Sequence, residues 1–533
     1  MRDCAITSQS RIKGLTLRFT EGLRSARFSW DCGSAWRSKF EATIPRRAND
    51  RETLPARDNR SDALTGMLVR TMVQRVVIEA VGRCFAAALS AAILVGSGQA
   101  DQRVIVLLHG PRGAAIERNA ATERNAAIER NAAIERNASE RDAVIERHAA
   151  RVHARWRVVP GFAATVDDAE LQRLREDPDV LSVEPDLSGS VTAVPQGDAI
   201  GLNIGLNGEL IGLGAVQALG YDGTGSTVAV LGTGVSHHPD LKDRIIEERC
   251  YCAYANGKGC CPNGMSQQFG TGAARDDLPH ETGVAGVIAG SGGIAPRGIA
   301  PAAKIVAIRV GDATGNIAWT SQVISALDWI AASPLRVDAV NMSFAIGFLS
   351  NSACDGENPA LTDALARVRA RGTVPVAASG NDAALHGIRP PACITGVLSV
   401  GAVYHTNLES ASLLGCTDKP AEVDRVTCFS NSAAQLDLLA PGYNVRTAFK
   451  TAGVSNASGT SFSAPHVAGA VALLRQLDPQ LTPDAIEELL ESTGRPIVDS
   501  RNGITTPRLD LFAAVMKLRQ NATPQPRRRA VRH

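Results

Sequence analysis

The chain has 533 residues, 44% hydrophobic and 21% charged, with a formal net charge of +2. That length allows two to four domains and at least one large core. A balance so near neutral argues against nucleic acid or an anionic membrane surface as a partner chosen by bulk electrostatics. No apolar run reaches the roughly 20 residues of a membrane-spanning helix.

In chain order, residues 1–66 carry no recognisable pattern. Met67 to Ala100 then has the build of a secretory signal: basic residues Arg70, Arg75 and Arg83, an apolar run from Cys84 to Val95, and small residues before Asp101. Cleavage is expected near Ala100. Signals open a chain, so translation from Met67 or Met72 is expected, with 1–66 an over-extended reading frame; a buried helix is the plainer alternative. Of 11 cysteines, eight follow Ala100, an even number that suits disulfides in an exported chain. Cys416 with Cys428 would close a short loop and Cys354 with Cys393 a longer one. The cluster Cys250, Cys252, Cys260 and Cys261 also has thiol spacing suited to zinc.

Residues 101–190 read as a small α+β unit. It runs from the strand RVIVLLHG through a turn and a short helix, Asp168 to Glu176, to a last strand VLSVEP. A hexapeptide repeat, AAIERN, interrupts it across 113–150. Its composition favours helix, but six residues advance a helix by about 600°, so its isoleucines spiral instead of forming a stripe. A solvated helical insertion is expected.

From 200 to 517 short apolar runs alternate with amphipathic helices. STVAVL, KIVAIRV, AVNMSF, TVPVAAS and GVLSVGAV read as strands. Helices are expected around Val323–Ala331, around Leu361–Val368 with Gly372 as the stop, and after the N-cap Thr482 up to Gly494. The alternation predicts an α/β fold: a three-layer, doubly wound, mostly parallel sheet with catalytic groups at the carboxyl ends of its strands. The tail, 518–533, is basic and reads as a solvated terminus.

The densest chemical signal is GTSFSAPHVAG, in which Ser461 opens a helix of small residues. Free N–H groups and the dipole at a helix N-terminus stabilise negative charge developing on an attacked carbonyl. This motif closely resembles the nucleophile segment of the subtilisin family of serine peptidases. The resemblance extends over about 300 residues, in the family's order of aspartate, histidine and serine. HETGVAG resembles the histidine motif and makes His280 the general base; VAASGND resembles the segment supplying the oxyanion donor, at Asn381. NMSFAIG resembles the strand flanking substrate, so Ser343, Phe344, Ala345 and Gly347 are expected on one wall of the cleft, with Ala378, Ser379 and Gly380 opposite. Residues 101–190 are similar to the family's inhibitory propeptide, to which the repeat is foreign. His466 reads as a packed structural residue.

One position departs decisively. VAVLGTGV resembles the family's aspartate motif, except that Gly232 stands where the carboxylate belongs. That carboxylate fixes the histidine tautomer and stabilises the imidazolium. In that family its loss alone costs roughly 3 × 10⁴ in kcat. A second departure is Glu281, where the family has glycine. Adjacent side chains on a helix turn diverge, so Glu281 is expected to face solvent at the helix N-terminus and Asp240 to belong to the following loop. Neither is expected to replace the missing group.

The resemblance therefore implies a secreted or periplasmic serine endopeptidase working through an acyl-enzyme on Ser461, much slowed by Gly232. The alternative is an inactive descendant that binds peptides or its own propeptide; an esterase-like hydrolase is a weaker third reading. The expected partners are a polypeptide substrate and the chain's own propeptide, with no nucleic acid or membrane. No cofactor is required; the family often carries structural calcium, but no compact ligand array is legible.

Overall fold

The computed structural model describes residues 15–17, 25–31, 37–43, 101–110, 123–148, 150–191, 194–196 and 207–522. The chain divides into residues 1–96 and 97–533. The first unit holds three short antiparallel strands, Leu15–Leu17, Ser25–Asp31 and Arg37–Thr43. The signal-like segment up to residue 100 and most of the basic tail lie outside the described residues. Among the described residues no helix is long and apolar enough to cross a membrane.

The second unit begins with a four-stranded antiparallel sheet and two helices. In chain order these are β1 (Gln102–Leu108), α1 (Glu123–His148), β2 (Arg151–Arg155), β3 (Gly161–Val166), α2 (Asp168–Glu176) and β4 (Val180–Pro185). The sheet order is β2-β3-β1-β4, the arrangement of a split βαβ fold. Alternation along β1 serves two cores at once. Val104, Val106 and Leu108 pack with Val144 and Ile145 of α1 and Leu171 and Leu174 of α2. Ile105 and Leu107 face the other way, into the core that follows.

The repeat behaves differently from expectation. Its downstream end is no solvated insertion: Asn137, Arg141, Val144, Ile145 and His148 are buried on one face of α1. This stripe, at spacings of four, three, one and three, starts only where the hexapeptide ends, and it makes the last turns of α1 an integral layer of the small domain.

The large domain is built on ten strands. They are β7 (Thr227–Gly232), β8 (Ile245–Tyr251), β9 (Gln267–Phe269), β10 (Lys304–Arg309), β12 (Ala339–Met342), β14 (Val374–Ala378), β15 (Leu398–Val403), β16 (Leu438–Pro441), β19 (Arg495–Val498) and β20 (Thr505–Arg508). Their order is β9-β8-β10-β7-β12-β14-β15-β16-β20-β19, parallel throughout except for the antiparallel edge strands β9 and β19. Helices cover both faces. On one side lie α3 (His280–Ala289) and α6 (Thr460–Leu477), which share a core with Val228, Val230 and Val376; on the other lie α4 (Thr320–Ala332) and α5 (Pro359–Ala370), which pack on Ala229, Leu231 and Val340. This is the expected doubly wound architecture. The expected Thr482 cap also forms, its side chain accepting from the Ala485 N–H.

All eight cysteines beyond residue 100 are paired: Cys250–Cys261, Cys252–Cys260, Cys354–Cys393 and Cys416–Cys428. The first cluster is therefore a doubly bridged hairpin and not a thiolate zinc site.

The small domain docks through carboxylates. Asp328 of α4 accepts from the backbone N–H groups of Arg157, Val158 and Val159 at 2.7–2.9 Å. Asp186, after β4, accepts from the N–H and hydroxyl of Ser321 in the first turn of α4, and Arg103 neutralises it at 2.8 Å. Glu184 accepts from the Ala360 N–H in the first turn of α5, and burial pushes its carboxyl up to about 7. Anions at helix N-termini complement free N–H groups and the dipole. Asp328→Ala should leave three backbone donors without their acceptor, one of them on the buried Val159, and destabilise the precursor by about 2 kcal/mol, read as a fall in the denaturant midpoint. An unchanged midpoint would show that this contact does not hold the two domains together.

Candidate active site

The site forms where β7, α3 and α6 meet. Ser461 is the second residue of α6, after Gly459, whose φ of +141° is a conformation few other residues adopt. Pro465 has no N–H to return to the Ser461 carbonyl. That carbonyl instead accepts from the Ser343 hydroxyl at 2.7 Å, and Asn341 Nδ2 donates to Ser343 Oγ at 2.9 Å. The Ser461 hydroxyl donates to the Ser343 carbonyl at 2.9 Å. The nucleophile helix is thus pinned to the junction between β12 and the following strand.

Asn381 lies just beyond β14. Its Oδ1 accepts from the Thr460 N–H and hydroxyl, each at 2.9 Å, which fixes the amide orientation. Its Nδ2 is buried without a hydrogen-bond partner, as expected of a donor held for an oxyanion.

His280 is fully buried and packs edge-on against Phe462, the residue after Ser461, with ring centroids 5.5 Å apart. Its Nε2 has no hydrogen-bond partner, whereas Nδ1 lies 2.8 Å from Glu281 Oε1. A proton on Nδ1, given to that carboxylate, leaves Nε2 as the basic nitrogen.

Here the expectation about Glu281 is corrected. It is fully buried and does not face solvent. Its Oε2 accepts from the Thr233 N–H at 2.8 Å and from the Thr233 hydroxyl. A Cβ placed on Gly232 would lie 2.1 Å from Glu281 Oε1 and 2.2 Å from its Cδ. The carboxylate of Glu281 therefore fills the space that a side chain at 232 would take. Gly232 is less a deletion than the vacancy Glu281 needs. Neighbouring Cβ atoms do diverge, but the two further methylene and carboxyl carbons of a glutamate bring its head back to the ring. Asp240 does belong to the following loop, accepting from Ser291 Oγ and the N–H groups of Gly293, Ile294 and Ala295.

A second buried carboxyl stands behind Glu281. Asp276 accepts from the N–H and hydroxyl of Thr282 at 2.9 and 2.6 Å, and its Oδ1 lies 2.8 Å from Thr233 Oγ1. Thr233 carries one hydroxyl proton but faces two carboxylates, so both contacts are hydrogen bonds only when one acid is protonated. Burial first, and then the charge of Glu281, push Asp276 up to about 6. Asp276 is thus the acid that holds the proton.

Other predicted positions divide. Phe344 and Ala345 lie in β13 (Phe344–Ile346) and pair with β5 (Gly189–Val191), the strand that follows the small domain. β5 also pairs with β11 (Asn316–Ile317) on its other edge, and the Gly347 N–H donates to the Ser188 carbonyl. Ala378, Ser379 and Gly380 are buried: Ser379 bonds Val400 and Asn431, and Gly380 bonds Thr460. The adjoining cavity of about 520 Å³ is instead lined on that side by Asn381, Asp382 and Arg389. Nothing in the sequence marks Arg389 or Asp276, which only the folded chain brings to the cleft. His466 is indeed structural. It bonds the Phe462 carbonyl and Asn207, and burial lowers its pKa to about 4. The one carboxylate grouping among the described residues able to hold a cation, Asp437, Glu487 and Glu491, takes no part in these contacts.

A nucleophile at a helix N-terminus, a buried imidazole and an orphaned amide on a doubly wound sheet define a serine peptidase. Residues 223–510, more than half the chain, match the subtilase family, and residues 103–190 match peptidase inhibitor I9. The chain belongs to the subtilase family. It is 29% identical to subtilisin E of Bacillus subtilis over 363 residues, 67% of this chain and 81% of that protein. It is 30% identical to an alkaline protease of Shouchella clausii over 336 residues, 63% and 74% of the respective chains. A solved protease from Pseudoalteromonas arctica aligns with a TM-score of 0.46 at 26% identity, covering 58% of this chain and 94% of that one.

Two predictions follow from the carboxylates. Gly232→Asp alone should force its side chain against Glu281 and lower both thermal stability and kcat. Glu281→Gly alone should lower kcat by about 10³–10⁴, and the double variant should recover most of both; additive losses would refute the shared-space reading. The second concerns Asp276, whose folded pKa lies above its unfolded value of about 3.9. The folded state holds an extra proton between roughly pH 4 and 6, so stability falls as pH rises through that window and stays lower above it. Asp276→Asn, a fixed stand-in for the protonated acid, should gain in Tm relative to the natural chain on going from pH 4.5 to 8.

Proposed function

We propose that this protein is a catalytically competent, exported serine endopeptidase whose triad carboxylate is carried by Glu281 instead of by residue 232. The observation that carries this reading is the 2.8 Å contact between His280 Nδ1 and Glu281 Oε1, with the carboxylate lodged in the volume vacated at Gly232. The substrate is a polypeptide, bound as an added antiparallel strand between β11 and β13 as β5 is in the precursor. His280 Nε2 takes the Ser461 hydroxyl proton as Oγ attacks the carbonyl carbon. Asn381 Nδ2 and the backbone N–H at Ser461 receive the oxyanion. Glu281 holds the Nδ1–H tautomer and stabilises the imidazolium, which then returns its proton to the leaving amine. Water repeats the cycle on the acyl-enzyme. Pairing of all eight cysteines beyond residue 100 supports an oxidising, extracytoplasmic compartment and hence the signal role of 67–100.

The precursor's own chain supports the same cleft. β5 ends with Val191 opposite Phe344, and β6 (Val194–Gln196) begins with Val194 opposite Ser458, three residues before Ser461. Two strand registers thus bracket the bond between residues 192 and 193. Expressed alone, the natural precursor should release a protein beginning at Ala193, read by N-terminal sequencing. Ser461→Ala should remain intact, and Glu281→Gln should process at least about 10³-fold more slowly. A natural precursor that stays uncut and resists a fluorophosphonate probe would favour the peptide-binding, inactive alternative.

A further inference from the structure

The cavity beside Asn381 is crossed by a charged side chain. Arg389 Nη1 donates to the Gly347 carbonyl on one wall, while Nε and Nη2 donate to the two oxygens of Asp382 on the other, each at 2.8 Å. Asp382 is itself fixed, accepting from Asn431 Nδ2 at 2.9 Å and giving its N–H to Asn431 Oδ1 at 2.8 Å. The guanidinium is therefore a strap tied at both ends, with three of its five N–H groups engaged.

The cavity opens beside Asn381, whose Nδ2 is the donor held for the oxyanion, so the side chain it receives is that of the residue whose carbonyl Ser461 attacks. β5 runs antiparallel to β13 and ends with Val191 opposite Phe344, and the Ser343 carbonyl just before that residue receives the Ser461 hydroxyl. The residue that follows Val191 in the sequence is Thr192, a short β-branched alcohol.

We propose that Arg389 determines specificity, closing the main pocket to large apolar side chains so that the enzyme cleaves after short residues, with threonine-sized polar ones preferred. The proposal deepens the peptidase reading and rests on it. A phenylalanine would have to displace the strap and leave the Asp382 carboxylate unpaired against an apolar ring. A threonine leaves the ion pair intact and offers its hydroxyl to the two remaining N–H groups. The sequence alone shows a wall around Ala345 and Gly347; it does not reveal that Arg389 lies between that wall and Asp382.

The test compares kcat/KM for four peptides that differ only before the scissile bond, carrying Thr, Ala, Phe or Glu. The natural enzyme should favour Thr and Ala over Phe by about ten-fold or more, and Arg389→Ala should raise the Phe peptide about ten-fold and lower the Thr peptide, so that the Thr-to-Phe ratio collapses. Preference for Phe or Glu in the natural enzyme, or an unchanged Thr-to-Phe ratio in the variant, would overturn the proposal. A readout free of turnover separates it from the question of activity. In the uncleaved Ser461→Ala precursor, Thr192→Phe should lower Tm, and it should cost much less when Arg389→Ala is also present. Equal losses in both backgrounds would refute the strap even if the enzyme were inactive on every peptide.

Discussion

The site depends on one contact, that between a buried imidazole and a buried carboxylate. His280 and Glu281 are both without solvent exposure, and neither charge is tolerable there alone. Their solution is local: adjacent residues at the start of α3, one providing the ring and the other reaching around to its Nδ1. The condition for it lies elsewhere, at the end of β7, where residue 232 has no side chain. An acid on a strand end has in effect moved to a helix start without moving in space. The chemistry needs an anion at a point, and the backbone that delivers it is free to change if the vacated volume is matched.

The same economy governs the surroundings of Ser461. Pro465 removes the donor that would have served the Ser461 carbonyl, and Ser343 supplies one from the neighbouring strand. Thr460 orients Asn381, leaving Nδ2 free. Thr233 links Glu281 to Asp276, the carboxyl whose pKa burial and the charge of Glu281 push up. Each of these polar groups is fixed by a neighbour on an adjoining element. This is what keeps reacting groups within the few tenths of an ångström that efficient transfer requires.

The small domain is coupled to this machinery by the same kinds of force. Its sheet shares Ile105 and Leu107 with the large domain's core. Its acids complete the N-termini of α4 and α5, and its trailing strand fills the cleft. Docking, helix capping and strand addition thus tie the small domain to the large one and lay its trailing strand along the cleft.

What the sequence by itself determined was everything set by short-range pattern. Alternating strands and helices gave the doubly wound sheet, because period and punctuation are local. GTSFSAPHVAG, HETGVAG and VAASGND located Ser461, His280 and Asn381, because those motifs hold backbone and side chain in a few residues. The repeat hid the amphipathic stripe of α1, since its period of six drowned the 3.6-residue signal that begins at Asn137. Tertiary structure alone decided the fate of the carboxylate. Gly232 and Glu281 are 49 positions apart in the chain, and whether one fills the other's void depends on how closely β7 and α3 approach, a distance that no local pattern encodes. Arg389 and Asp276 were illegible for the same reason: their roles come from partners brought to them by the fold.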